Sequence, residues 1–315
     1  MLKNGEIMEQ QPLVSICIPT NNRVDIVRET VKSLLAQDAD KNLYEICISD
    51  NSKTDETKIL LESEFSSVSN LRYGKSDCVG FFNSIEALKL GRGKLLKLHN
   101  DYSKFKPGAL SQIIEVVRKY SESENDIFFA MGSIKAPRVI TEYYNFNDFL
   151  NFISYMSTWS SAFSIWKKDL DFLTAKKIKL DHMFPHTSLL FALTNKPKYI
   201  VDNHEYVVNL PLKKKGGYNL VDNFVRLYLT MVKDLLQDGS ITTATYRKIE
   251  HGIIKFCASW YVIVKTNHNF TFTFDNKEQL IFDCCGRGAL WQFLSYIYIY
   301  YFPKAILKKI IKGHY

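Results

Sequence analysis

The apolar residues in the first third of the chain gather into short runs, and each run ends on polar residues. Leu13-Val14-Ser15-Ile16-Cys17-Ile18 leads to Pro19-Thr20, residues 44–49 lead to Asp50-Asn51-Ser52, and Leu95-Leu96-Lys97-Leu98 leads to His99-Asn100-Asp101. Continuous apolar runs of this length read as strands covered on both faces. A shorter strand is predicted over 70–73. Between the runs the period becomes helical. Ile26, Val27, Thr30, Val31, Leu34 and Leu35 form one inward stripe, with Asp25 placed to cap it. Further helices are predicted over 54–61, with Asp55 and Glu56 in the first turn, and over 80–90. Strand and helix alternate through four strands, which predicts a doubly wound, mostly parallel α/β sheet. In such a sheet the carboxyl ends of the strands share one side, where ligands bind.

Beyond Asp101 a helix is expected over 107–120, with Pro107 in its first turn. A strand is expected over 126–132, a helix-compatible aromatic stretch over 141–157 and an apolar segment over 160–166. A helix over 187–194 and strands over 198–201 and 206–210 follow. Lys213-Lys214-Lys215-Gly216-Gly217-Tyr218-Asn219 reads as a basic loop whose glycines let it move as a lid. From 220 onward the pattern is helical. Val221, Phe224, Val225, Tyr228, Val232, Leu235 and Leu236 mark one amphipathic helix ended near Gly239, and Tyr246, Ile249, Ile253, Cys257, Trp260, Tyr261 and Val264 mark another. The expected division is an α/β domain over 1–220 and a helical annex over 221–315.

Composition adds a partner class. The 315 residues are 46% hydrophobic, enough for a sizeable core, and carry a net charge of +8 with 18 Tyr and 21 Phe. That charge favours an acidic partner: nucleotide phosphates, an anionic membrane surface or nucleic acid. Nucleic acid is the weakest of the three, because the lysines are not interleaved with aromatics on one face. Six cysteines occur without a CxxC pair or zinc spacing, which suits free thiols in a reducing compartment. The polar N-terminus shows no signal pattern, and the longest apolar run, 289–302, is shorter than the roughly 20 residues of a spanning helix. A cytoplasmic protein is expected. Lys304, Lys308, Lys309 and Lys312 stand among Ala305, Ile306, Leu307, Ile310 and Ile311. This end reads as an interfacial helix on the inner face of the cell membrane, with Tyr and Trp at headgroup level.

Several of these segments carry a family pattern. Val14-Ser15-Ile16-Cys17-Ile18-Pro19-Thr20-Asn21-Asn22-Arg23 resembles the opening of the family 2 glycosyltransferases of the GT-A fold. Glu45-Ile46-Cys47-Ile48-Ser49-Asp50-Asn51-Ser52-Lys53-Thr54-Asp55 is similar to their second signature. Gly80-x-x-Asn83 and Gly91-x-Gly93-Lys94 are similar to the segment before their metal motif, and Asp101 falls on the last Asp of their Asp-x-Asp. Phe184-Pro185-His186 and Gly216-Gly217-Tyr218-Asn219 look like features of the abequosyltransferase-like branch of O-antigen and capsule enzymes. The chain departs from the pattern at Asn21, where Tyr is usual, at His99, where the first Asp is usual, and at Tyr102, where a third acidic residue is frequent.

The resemblance implies inverting transfer of a sugar from a nucleotide-diphosphate sugar to a hydroxyl of a surface glycan or lipid-linked acceptor. Asp50 would accept a hydrogen bond from the ring N–H of uracil, or from a comparable base edge, with the base laid on backbone near Pro19 and Thr20, and Asn22 and Asn83 close by. Asp101 would hold Mg²⁺ or Mn²⁺ against the diphosphate, as hard cations use one or two carboxylates plus phosphate oxygens. His99 would either ligate that metal or be a satisfied strand-end histidine. Asn100 would bond ribose or phosphate, or lend its carbonyl to the metal. Arg23 and Lys75 would bind phosphate or orient Asp50. For the catalytic base, Asp181 stands first, twenty positions after Ser161 as the family spaces it, and His186 second, with His182 beside them. Two other classes share such a sheet. A nucleotidyltransferase would show a glycine-rich basic loop after the first strand, which residues 19–23 lack. A non-catalytic module of a membrane glycan-synthesis complex is the other, and His99 is the residue that favours it.

Overall fold

The computed structural model describes residues 11–212 and 214–312. Of these, residues up to Glu142 together with Trp159–Leu210 form one compact unit, and Tyr143–Thr158 with the chain from Pro211 onward form another. The annex expected from 221 falls wholly within the second unit.

The first unit opens with β1 (Val14–Thr20), α1 (Val24–Leu35), β2 (Tyr44–Asp50), α2 (Glu56–Glu64), β3 (Leu71–Lys75), α3 (Asn83–Leu90) and β4 (Leu95–Leu98). The predicted alternation is present. β3, β2, β1 and β4 lie side by side and parallel, in that order. β1, β2 and β4 are buried almost end to end, as their unbroken apolar runs require. Val27, Val31 and Leu34 of α1 pack against Ile16, Ile18, Ile46 and Ile48 in one core. Asp25 does not cap α1. Arg23 holds the cap position, and Asp25 sits in the first turn, paired with Arg28.

After β4 the expected helix at Pro107 starts later. A short strand, β5 (Ser103–Phe105), intervenes, and α4 (Ala109–Tyr120) begins after Gly108, which takes a left-handed φ of 74° that favours glycine. The segment expected as one strand over 126–132 is β6 (Asp126–Phe129). It lies outside the main sheet, in a three-stranded sheet between which β6 and β7 (Ile140–Tyr143) flank the later β9 (Tyr199–Asp202). Phe146–Ile153, in the second unit, is α5, capped by the Asn145 side chain on the Asp148 amide. The apolar segment 160–166 ends in β8 (Ser164–Trp166), which pairs antiparallel with β4 and closes that edge of the sheet. α6 (Lys167–Ala175) and α7 (Pro185–Phe191) follow, and β10 (Val207–Asn209) pairs antiparallel with β5.

In the second unit the basic loop over 213–219 is not a loop throughout. Lys215–Asn219 is β11, paired parallel with β12 (Phe270–Thr273). Gly216 is required there, because a Cβ would lie 2.5 Å from the Phe272 nitrogen. Lys213 lies outside the described residues. The rest is helical: a π-helical turn over Asp222–Tyr228, then α8 (Leu229–Gln237), α9 (Thr243–Thr266), α10 (Lys277–Ser295), a second π-helical stretch over Tyr296–Tyr301, and α11 (Phe302–Lys312). Gly286, at φ 83°, kinks α10. Among the described residues no helix is long and apolar enough to cross a membrane, and all six cysteines are free thiols.

Candidate active site

Parallel register brings the strand ends together. Thr20 is the register partner of Asp50, Asp50 of Lys75, and Cys17 of Leu98, so the His99 amide donates to the Cys17 carbonyl. Asn83, at the start of α3, fastens this edge. Its Nδ2 donates to the carbonyls of Thr20 and Ser49, each at 2.9 Å, and its Oδ1 accepts from the Ser49 hydroxyl. Asn83 is buried with its amide committed to these strand ends, so it shapes the site from beneath. The two loops above are stitched as well. Asn21 donates to the Asn51 carbonyl and to its side-chain oxygen. The Asn22 amide, at a φ of 52°, donates to the Ser52 hydroxyl. Pro19 is half-buried in β1, opposite Ser49.

Asp50 is fully buried at the end of β2. Its Oδ1 accepts from the amide and the hydroxyl of Ser52, and Tyr73 donates to Oδ2 at 3.4 Å. Burial and this carboxylate push the Tyr73 hydroxyl well above the usual phenol range. Lys75 reaches to 3.9 Å of Asp50 while also pairing with Asp55. Lys75 thus lies beside Asp50, whereas Arg23 pairs with Asp101.

Asp101, 2% exposed, has both carboxylate oxygens engaged. Arg23 donates to Oδ1 and Thr20 Oγ1 to Oδ2, each at 2.9 Å, and Thr30 donates to the backbone carbonyl. Burial pushes this carboxyl up, while Arg23 and the Thr20 hydroxyl oppose the shift. Asn100 accepts from the Ser160 hydroxyl and donates to the Tyr102 hydroxyl. His99 is buried and stacked on Phe105 with centroids 4.4 Å apart. Its Nε2 lies 2.6 Å from the Ser103 carbonyl, which can only accept, so Nε2 carries the proton. Burial, with Lys97 behind it, pushes the ring down to about 3, and the imidazole is neutral. Only Nδ1, buried and without a hydrogen-bond partner, is left for ligation.

Among the described residues no three His, Cys, Asp or Glu side chains gather as a metal cage. The donor set therefore fits a divalent cation only as a site of one carboxylate, Asp101, completed by phosphate oxygens and water.

Asp181 lies in the turn that leads into α7 and His186 in the first turn of that helix, which packs on α3. Asp181 Oδ1 accepts from the amides of Met183 and Phe184, and Oδ2 lies 3.9 Å from the exposed His182 ring. His186 is buried, 6.0 Å from the Phe163 ring. Lys97 interrupts the apolar run of β4. It is fully buried and donates to the carbonyls of Leu98 and Ser161. Tyr73 and Ser160 were missed. Tyr73 could have been found from the parallel alignment of 46–50 with 71–75, whereas Ser160 carries no local signal.

Residues 15–120 match the family model described as Glycosyl transferase family 2. No curated protein sequence matches the chain. Among solved structures, TarS 1–349 of S. aureus in complex with UDP-GlcNAc is similar with a TM-score of 0.55 at 14% identity, over 90% of this chain and 81% of that one. The longer S. aureus TarS structure is similar at 0.52 and 14% identity, over 85% of this chain but only 47% of its own. A mannosyltransferase, PcManGT from Pyrobaculum calidifontis, in complex with GDP-Man and Mn²⁺, is similar at 0.54 and 12% identity, over 91% of this chain and 87% of that one. The architecture is the mixed α/β, GT-A glycosyltransferase fold with a helical C-terminal region.

Proposed function

We propose that the chain is an inverting glycosyltransferase that moves a sugar from a nucleotide-diphosphate sugar to a hydroxyl of a surface glycan or lipid-linked acceptor. The observation that carries this is the joining of three strand ends at one edge. Thr20 of β1 touches Asp101 beyond β4, and Asn83 ties Thr20 to Ser49 beside Asp50 of β2. A sheet edge with buried carboxylates at two strand ends is suited to a base on one side and a cation-bound diphosphate on the other. The glycosyltransferases it resembles carry UDP-GlcNAc, or GDP-Man with Mn²⁺, in their structures.

Asp50 reads the base edge through a ring N–H donor, with uracil favoured as in the similar structure that holds UDP-GlcNAc. Pro19, Thr20, Asn22, Arg23 and Lys75 line the nucleotide and phosphate side, and Asn100 lies beside Asp101. A divalent cation held at Asp101 would supply neutralising charge for the departing diphosphate. Asp181, ahead of His186, takes the proton of the acceptor hydroxyl. That oxygen bonds to the anomeric carbon as the bond to the diphosphate breaks, its electron pair leaving with the phosphate oxygen. The branch resemblance suggests O-antigen or capsule as the acceptor class.

The second unit is proposed to rest on an anionic membrane. Trp291, Tyr298, Ile299, Tyr300, Ile306 and Leu307 are exposed apolar residues near the C-terminal end. From Cys284 to Tyr315 the sequence holds Arg287 and four lysines with no Asp or Glu. Aromatic and aliphatic exposure inside a purely basic stretch suits an anionic bilayer surface. The side chains of Lys308, Lys309 and Lys312 lie outside the described residues.

The test is turnover of a panel of sugar nucleotides to free nucleoside diphosphate. One donor turned over by the native chain, and not by a folded Asp101→Ala variant, supports the reading. Undiminished turnover in that variant contradicts the role of Asp101.

A further inference from the structure

Arg23 is 78 residues from Asp101 in sequence and donates to its Oδ1 at 2.9 Å. The guanidinium also lies 5.9 Å from the centre of the Tyr102 ring, and the Tyr102 hydroxyl accepts from Asn100. Asp101 is buried, while the Arg23 side chain is 40% exposed. A buried carboxylate without a positive partner is costly, so Asp101 needs such a partner whenever no cation is bound to it. Resting on the transferase reading above, we propose that Arg23 is the resident counter-ion of Asp101 and competes with the divalent cation for it. Metal then enters together with a diphosphate, which takes Arg23 over.

Charge and geometry argue for this exchange. Arg23 and Asp101 are neutral as a pair. A divalent cation added alone leaves an uncompensated double positive charge against a buried wall. The same cation arriving with a doubly charged diphosphate leaves the site balanced. Both oxygens of Asp101 are already hydrogen-bonded, and the guanidinium on Oδ1 sets a positive charge where a cation would approach. Arg23 sits at the start of α1 with no role in the sheet, so its side chain can swing while β1 stays fixed. Its planar fork matches phosphate oxygens as well as carboxylate oxygens. Lys75 is less free to do this, because it is bound to Thr54 and Asp55 beside Asp50.

The experiment is a Mn²⁺ titration at one pH, following the electron spin resonance of free Mn²⁺, with and without UDP. The proteins are the native chain, Arg23→Gln, Arg23→Lys and Tyr102→Leu, each checked for folding by thermal unfolding. Arg23→Gln should bind Mn²⁺ alone at least about tenfold more tightly than the native chain, within the usual range of coupling between two sites. UDP should strengthen Mn²⁺ binding in the native chain, and do so less in Arg23→Gln. Tyr102→Leu should shift the same way as Arg23→Gln, and Arg23→Lys should stay near the native chain. Equal Mn²⁺ affinity in the native chain and Arg23→Gln overturns the competition. If UDP still strengthens Mn²⁺ binding in both, the metal and donor reading stands and only the role of Arg23 falls. If none of these proteins binds Mn²⁺ with or without UDP, both fall.

Discussion

Asn83 Nδ2 lies 2.9 Å from the carbonyl of Thr20, and the same nitrogen lies 2.9 Å from the carbonyl of Ser49. One side chain from α3 thus holds the ends of β1 and β2 at a fixed separation. Asn83→Ala leaves two carbonyls and the Ser49 hydroxyl short of a partner in a buried place. A loss of about 3 kcal/mol in unfolding free energy is expected, together with weaker nucleotide binding. Urea unfolding of the two proteins checks it, and an unchanged midpoint would contradict the fastening role.

Asp50→Asn keeps the shape and the contacts with Ser52 but replaces a carboxylate by an amide. Hydrogen bonds to a charged acceptor contribute about 1.5–3 kcal/mol, so nucleotide affinity should fall by roughly tenfold to a hundredfold. Calorimetric titration reads this directly. Native affinity in the variant would mean that the base is not read at Asp50.

The parallel core was legible because β1, β2 and β4 are buried on both faces and therefore carry unbroken apolar runs. β5 and β8 were not, being three residues each, whereas β10 fell inside the strand expected over 206–210. A three-residue strand has no period to detect, and its pairing is set by residues distant in sequence, as Phe105 pairs with Val207 and Leu96 with Ile165. Lys215–Asn219 looked like a loop because Gly216 and Gly217 are poor strand formers. It is a strand because only glycine allows the Thr271–Phe272 backbone so close. At the site, Asp50 and Asp101 were visible as the polar ends of apolar runs. The partner of Arg23 was not, since nothing in residues 19–23 distinguishes Asp50 from Asp101. The His99 ring turns into the core against Phe105, a choice that depends on β5, which was itself missed.

Lys97 gives stability a pH dependence. Burial pushes its amine down to about 7, whereas in the unfolded chain it keeps its proton to about 10.4. Between those values the unfolded chain binds more protons, so this group makes stability rise as pH rises from about 7, the gain being complete near the ordinary lysine value. Between about pH 7.5 and 9.5 the native chain should gain about 2 kcal/mol relative to Lys97→Met. Parallel pH profiles for the two proteins would show that Lys97 is charged where it lies.

The exposed apolar residues of the second unit should matter to lipid and not to folding. Ile299 is 77% and Leu307 58% exposed. Replacing both by Glu puts negative charge into a basic stretch at little cost to packing. Sedimentation with phosphatidylglycerol vesicles should fall by more than about tenfold, with binding of nucleotide unaltered. Equal sedimentation of native and variant chains would place membrane contact elsewhere or nowhere.

The most direct test of the transferase account is binding of UDP, GDP, CDP and dTDP to the native chain, each with and without Mn²⁺. The account predicts that one of them, UDP first, binds well above the others. Mn²⁺ should tighten that binding, and Asp101→Ala should remove the tightening. Failure of all four to bind, with or without Mn²⁺, would contradict it.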